Sequence, residues 1–182
     1  MSEKVIYAAI LGAGTVGMGT YKLCQAMEDE IKHKTGARLV IKKILVRNIS
    51  KKRDGIPEEL LTDDWADIIT DDQISIIVEL MGGIHPAKDY VLDALKAGKQ
   101  VVTANKDLIA ECGEEVGNAA NEAGADLQFE AAVAGAIPII RPLKQSMAGN
   151  HITEIMGIVN GTTNYILTKM TESGMDYAEA LA

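Results

Sequence analysis

The chain is organised around Val5-Ile6-Tyr7-Ala8-Ala9-Ile10-Leu11-Gly12-Ala13-Gly14-Thr15-Val16-Gly17. An apolar run of strand-forming type ends at Gly12, and further glycines stand at Gly14 and Gly17. A helix-compatible segment follows through Tyr21, Leu23 and Met27. Strand, glycine turn and helix start, in that order, make a cradle for a diphosphate. Gly12 permits the tight turn, Gly14 lets a pyrophosphate approach the backbone, and Gly17 lets the helix pack close to the strand. The helix N-terminus then offers free N–H groups to the anion. The pattern G-x-G-x-x-G alone is weak evidence in a chain with 17 glycines among 182 residues. Its place directly after an N-terminal strand makes it a dinucleotide-binding signal rather than a bare structural turn.

Outward from this loop, apolar strand-like runs alternate with helix-like segments. Residues 15–33 read as the first helix and 38–47 as the second strand. Residues 54–73 are polar and read as short helical turns over a sheet edge. Residues 74–81 read as a buried strand running into Gly82-Gly83. Pro86 opens a helix over 86–97, followed by a strand over 99–103, a helix over 105–123 and a strand over 125–133. This alternation predicts an α/β fold with a Rossmann-type doubly wound parallel sheet, whose ligands bind at the C-terminal strand ends. The composition agrees. Hydrophobic residues make up 47% of the chain and aromatics only 4%, as suits aliphatic strands covered on both faces.

The bulk numbers also exclude. A net charge of −8 argues against nucleic acid or an anionic membrane as partner. No run approaches about 18 apolar residues and no leader pattern opens the chain, so a cytoplasmic protein without membrane contact is expected. Cys24 and Cys112 are isolated, and His33, His85 and His151 are scattered, which favours buried thiols over a disulfide or zinc site.

Three positions stand out within the expected sheet. The tip of the second strand is Val46-Arg47-Asn48, with no acid, and Lys51, Lys52 and Arg53 follow. An acid there would hold the ribose 2′-hydroxyl of NAD, whereas a guanidinium suits the 2′-phosphate of NADP. Arg47 is therefore read as a phosphate ligand, and Lys51 to Arg53 as a solvated basic loop. Lys106 falls at a helix start, where the dipole disfavours a cation, with Asn105 as the cap. It is read as a cation orienting substrate or cofactor, or as a proton carrier. Glu130 stands in an otherwise apolar run and needs a partner, which a helix N-terminus, a lysine or a metal would each provide.

After Pro138 the character changes. Ile139 to Met147 reads as helical, 151–160 as a strand of a different sheet, and Asn160 to Asn164 as a turn into another helix. Asp176 and Glu179 form a capping box opening a further helix, and the sequence ends soon after, at Ala182. The expected organisation is a dinucleotide-binding domain over 1–137, then the truncated start of an α+β substrate domain over 138–182.

Five blocks together resemble the N-terminal part of the homoserine dehydrogenases, over nearly the whole chain. They are Ile10 to Gly17, Val78-Glu79-Leu80-Met81-Gly82-Gly83, Val101-Val102-Thr103-Ala104-Asn105-Lys106, Phe129 to Ile140, and Gly157 to Leu167. The resemblance implies interconversion of L-homoserine and L-aspartate 4-semialdehyde with NADP or NAD, on the route to threonine, methionine and isoleucine. It implies that Gly12, Ala13, Gly14, Thr15, Val16 and Gly17 hold the cofactor diphosphate and that Thr103 and Lys106 lie on the nicotinamide side. It implies a sodium-type ion on the main-chain carbonyls of Glu130, Val133, Gly135 and Ile137, Thr162 near the substrate, and a homodimer at full length. Asn48 stands where many relatives carry an Asp, which favours NADP. The family's Asp-Pro segment, with the catalytic lysine that donates the proton, would lie beyond Ala182. The 182-residue chain is thus expected to bind cofactor but barely turn over. The competing readings are another amino-acid or semialdehyde dehydrogenase on the same domain, and a non-catalytic dinucleotide-binding module. Cys112, within an expected helix, speaks against a thiol-acylating mechanism.

Overall fold

The computed structural model describes residues 3–182. Six parallel strands form one sheet in the order β3-β2-β1-β4-β5-β6. They are β1 (Val5–Leu11), β2 (Arg38–Leu45), β3 (Leu61–Thr62), β4 (Ile74–Glu79), β5 (Gln100–Thr103) and β6 (Leu127–Gln128). Between them run α1 (Thr15–Ala26), α2 (Glu28–Thr35), α3 (Ala66–Ile69), α4 (Ala87–Lys96) and α5 (Lys106–Ala123). The order reverses at β1, which pairs with β2 on one side and β4 on the other. That reversal opens a crevice at the C-terminal strand ends.

β1 shows why the sheet is covered on both faces. Ala9 and Leu11 enter one core with Ile77 of β4, Val91 of α4 and Leu108 and Val116 of α5. Ala8 and Ile10, on the opposite face, enter a second core with Tyr21 of α1 and Ile41 and Ile44 of β2. Strict alternation sends every second residue to the other face, so a strand of parallel sheet must be apolar throughout.

The sequence expectations hold for most elements and fail at four. The helix expected over 15–33 is two helices, broken at Met27 (φ −107°, ψ 18°). α1 buries Gly17 and Tyr21, whereas α2 buries nothing and carries acids in its first turn and bases in its last, matched to the helix dipole. The polar segment 54–73 contains β3, a strand too short to show any periodicity. The strand expected over 125–133 shrinks to β6, because Glu130 to Ala132 wind into a 3₁₀ turn.

The fourth difference lies in the second of two compact units, Met1–Ile140 and Arg141–Ala182. The second unit holds a π-helical turn at Pro142–Ser146, then α6 (Gly161–Ser173) and α7 (Tyr177–Leu181), which starts with the expected Asp176–Glu179 capping box. Residues 151–160, expected to be a strand, have no regular structure. A strand needs partners for its N–H and C=O groups, and no other strand lies among the described residues of this unit. Its apolar side chains stay exposed, Met156 by 83% and Val159 by 92%.

At the sheet's N-terminal edge, buried Lys99 donates to the carbonyls of Asp71 (2.8 Å) and Ile74 (2.7 Å). Lys42 Nζ meets Asp71 Oδ2 at 2.5 Å and holds that carboxyl below the usual carboxylate range. A depressed carboxyl stabilises the fold above its unfolded pKa, about 3.9. That contribution disappears as pH falls through the lower folded value. Lys42→Met should therefore move the acid-unfolding midpoint upward. With side chains 31% and 21% exposed, the shift is expected to be small, roughly 0.3 pH unit by circular dichroism.

Candidate functional site

The glycine turn is fixed by close backbone approach. Gly12 sits at φ +99°, and a Cβ there would lie 2.9 Å from the Leu80 carbonyl oxygen. A Cβ on Gly17 would lie 1.9 Å from the Gly12 carbonyl oxygen. Gly14 differs: nothing stands within 4 Å of its would-be Cβ, so its open side faces free space. The first and third glycines are thus demanded by packing, and the second leaves room for a ligand.

α1 begins right there, with Gly14 as its N-cap, no side-chain cap and no acid in its first turn. The first N–H groups of a helix have no partner within it, so this end presents donors and positive potential without competition. By contrast, Asn105 caps α5 (Leu108 N–H to Asn105 Oδ1, 3.1 Å) and Asn160 caps α6 (Thr163 N–H to Asn160 Oδ1, 2.8 Å).

A cleft of about 550 Å³ lies at the topological switch point, bounded by Gly12 to Gly14, by Val46 to Asn48 after β2, and by Leu80 and Met81 after β4. The open Gly14, the uncapped helix end and this cleft fit the diphosphate of a dinucleotide. Of the cofactor residues expected from sequence, Gly12, Ala13, Gly14 and Arg47 line the cleft. Thr15, Val16 and Gly17 form the first turn of α1, with Val16 57% exposed.

Lys51 and Arg53 reach the same cleft. Arg53 Nη1 donates to the carbonyls of Asn48 (3.1 Å) and Lys51 (2.7 Å), winding the loop around itself. Arg53 thus ties the basic loop to itself, while Lys51 and Lys52 stay exposed. Asp63 also lines the cleft, just beyond β3, whose pairing with β2 sets Thr62 beside Leu45. Sequence reading found no acid at the tip of the second strand; β3 brings one from 16 positions beyond Arg47.

Thr103 ends β5 and Lys106 begins α5. Lys106 is exposed, but Thr103 is fully buried and its hydroxyl is committed. It donates to Glu79 Oε2 (2.6 Å) and accepts the Asn105 N–H (3.0 Å). Glu79 has no role that the sequence alone announces. It is wholly buried at the end of β4, and the only signal was a lone acid closing an apolar strand.

Of the three partners expected for Glu130, a helix N-terminus is present. Its Oε1 accepts the N–H groups of Ile139 (2.6 Å) and Ile140 (3.0 Å), so the carboxylate caps the start of the helical turn that follows. The backbone beyond it is strained. Ala134, Gly135 and Ala136 are all left-handed (φ +58°, +26°, +53°), a costly choice for two alanines and a frequent mark of functional segments. The carbonyls of Glu130 and Gly135 accept the N–H groups of Val133 (3.3 Å) and Ile137 (2.6 Å). Among the described residues no three His, Cys, Asp or Glu side chains gather as a metal site. Thr162 lies in the first turn of α6, on a hollow of about 370 Å³ in the second unit.

Comparison with known proteins bears on these features as a set. Residues 12–130 match the family described as homoserine dehydrogenase, NAD binding domain, and residues 138–182 match the homoserine dehydrogenase family. The chain is 46% identical to the homoserine dehydrogenase of Bacillus subtilis, across 98% of this chain and 41% of that protein. It is 51% identical to that of Corynebacterium glutamicum, across 96% and 39%. It thus spans about two fifths of the length of these curated relatives. Among solved structures, a homoserine dehydrogenase from Thiobacillus denitrificans superposes with a TM-score of 0.87 at 41% identity, over 98% of this chain and 42% of that one. A hyperthermophilic archaeal homoserine dehydrogenase in complex with NADPH gives a TM-score of 0.78 at 27% identity, over 97% and 59%. A Rossmann sheet with a glycine cradle at its switch point, followed by a segment matching the homoserine dehydrogenase family model, leaves one assignment: the chain belongs to the homoserine dehydrogenase family.

Proposed function

We propose that these 182 residues form the dinucleotide-holding part of an enzyme that interconverts L-homoserine and L-aspartate 4-semialdehyde, with NADPH as the preferred cofactor. The observation that carries the reading is the Gly12–Gly17 turn opening an uncapped α1 onto a cleft that also holds Arg47. The nicotinamide, when bound, exchanges a hydride with the substrate's carbonyl carbon. The α1 N-terminus and the backbone of Ala13 to Val16 hold the diphosphate. Arg47 grips the 2′-phosphate, and Lys51 and Arg53 add positive potential around it. Thr103 contributes through its main chain, because its hydroxyl is engaged. Lys106 presents a cation at the mouth of α5, to orient the substrate's carbonyl oxygen. Transfer of the proton to that oxygen belongs to a part of the relatives that these residues do not match.

The strained segment 133–137 supports a monovalent cation on the carbonyls of Glu130, Val133, Gly135 and Ile137. Thr162 then belongs to the substrate end, in a second domain from residue 138 onward. The whole enzyme acts as a cytoplasmic homodimer supplying threonine, methionine and isoleucine synthesis. No helix among the described residues is long and apolar enough to cross a membrane.

Fluorescence titration tests the cofactor reading. NADPH should bind saturably and several-fold tighter than NADH, while absence of binding by either would overturn it. The substrate reading is tested by L-homoserine-dependent reduction of NADP in a chimera joining this chain to the unmatched remainder of the Bacillus subtilis relative. Turnover with L-serine but not L-homoserine would refute it.

A further inference from the structure

We infer that Glu79 is a positioning residue for the nicotinamide end of the site, an inference that rests on the cofactor reading above. Glu79 is wholly buried, and its carboxylate joins three chain segments at the ligand edge of the sheet. Its Oε1 accepts the Met81 N–H at 2.7 Å, which shapes the turn leaving β4. Its Oε2 accepts the Thr103 hydroxyl at 2.6 Å, which fixes the end of β5. The Asn105 amide reaches Oε1 at 3.5 Å and the Gly83 carbonyl at 2.6 Å, so the cap of α5 is tied to the same turn. Glu79's own main chain accepts the Ala104 N–H at 3.2 Å.

A buried carboxylate is costly unless its lone pairs are met, and these are met by neutral dipoles drawn from separate loops. Among the described residues no ion pair includes Glu79. A purely structural need at the end of an apolar strand would be served by another aliphatic residue. A carboxylate here instead sets the relative positions of Met81, which lines the cleft, and of Asn105, next to Lys106. The diphosphate cradle at Gly12 to Gly17 makes none of these hydrogen bonds. The hydrogen bonds that hold the two ends are therefore distinct, although Gly12 packs against the same Leu80–Met81 turn.

The test compares NADPH with 2′-phospho-ADP-ribose, which keeps the adenosine and diphosphate but lacks the nicotinamide. Glu79→Gln keeps the shape and reverses one hydrogen bond, and Thr103→Val removes its partner's hydroxyl at nearly constant volume. Both folds are checked by circular dichroism. Each variant should bind NADPH roughly 5–20-fold more weakly, while 2′-phospho-ADP-ribose stays within about 2-fold of wild type. The double variant should be little worse than either single one, because the two residues share one bond. Equal losses on both ligands, or unchanged NADPH affinity in Glu79→Gln, would overturn the inference. If the wild-type chain binds neither ligand, the cofactor reading itself has failed, which is a separate result.

Discussion

Replacing Gly17 by alanine is expected to abolish NADPH binding and to lower the melting temperature by about 10 °C. The added methyl carbon would sit 1.9 Å from the Gly12 carbonyl oxygen, 2.9 Å from its carbon and 3.7 Å from Ile10 Cγ2. Two of these are backbone atoms, and alanine has no rotamer with which to escape them. α1 would have to lift from β1 by more than an ångström, which pulls Tyr21 out of the core beneath it. Overpacking typically costs about 1–3 kcal/mol, and backbone on the far side of the clash places this case at the upper end. A domain of this size loses about 2–4 °C per kcal/mol. The same displacement spreads the N–H groups that face the diphosphate. Gly14→Ala is the informative control. Its methyl meets nothing within 4 Å, so the melting temperature should stay near wild type. Yet it fills the approach to the backbone, so NADPH affinity should still fall. Thermal melts and NADPH titrations on both variants separate the two roles. A Gly17→Ala protein with wild-type melting and affinity would defeat the reading of the loop.

That contrast also shows which parts of the molecule were legible in the sequence. Gly12, Gly14 and Gly17 are readable because the constraint is local: backbone meets backbone, and no side chain elsewhere can substitute. β1 and β4 are readable because strands covered on both faces must be apolar throughout. Asn105 and the Asp176–Glu179 box are readable because helix caps bond to residues only three positions away. What failed depended on distant partners. Leu61-Thr62 becomes a strand only because β2 offers an edge, and so Asp63 arrives unannounced beside Arg47. Residues 151–160 have strand-like composition but, among the described residues of their unit, no strand to pair with, and composition cannot stand in for a ladder. Glu79 shows the same limit in the site itself. Its role is written in Thr103 and Asn105, 24 and 26 positions away, and a lone acid at a strand end does not reveal which groups it will meet.

Arg47→Asp is expected to reverse the cofactor preference, with NADPH affinity falling about 100-fold and NADH affinity rising a few-fold. The wild-type guanidinium offers paired donors to a 2′-phosphate, and a charge-assisted contact of this kind contributes about 1.5–3 kcal/mol. Aspartate removes that contact and sets a negative charge against the phosphate, while giving the 2′-hydroxyl of NADH an acceptor. Asn48 next door is neutral and opposes neither change. Two neighbours decide the size of the effect. Lys51 and Arg53 line the same cleft and keep some attraction for phosphate, so NADPH binding should weaken without vanishing. Asp63, on the cleft wall, already repels phosphate, so the variant's second carboxylate should add to an existing bias. Salt weakens these contributions. Exposed charges are screened within about 10 Å at 0.1 M ionic strength, so the wild-type preference for NADPH should narrow as salt rises, and the reversed preference of Arg47→Asp, which rests on charge repulsion, should narrow with it. Arg47→Met isolates the lost contact from the added repulsion and should fall between the two. If Arg47→Asp still binds NADPH several-fold tighter than NADH at low salt, the phosphate is held by Lys51 and Arg53, and the basic loop rather than the strand tip selects the cofactor.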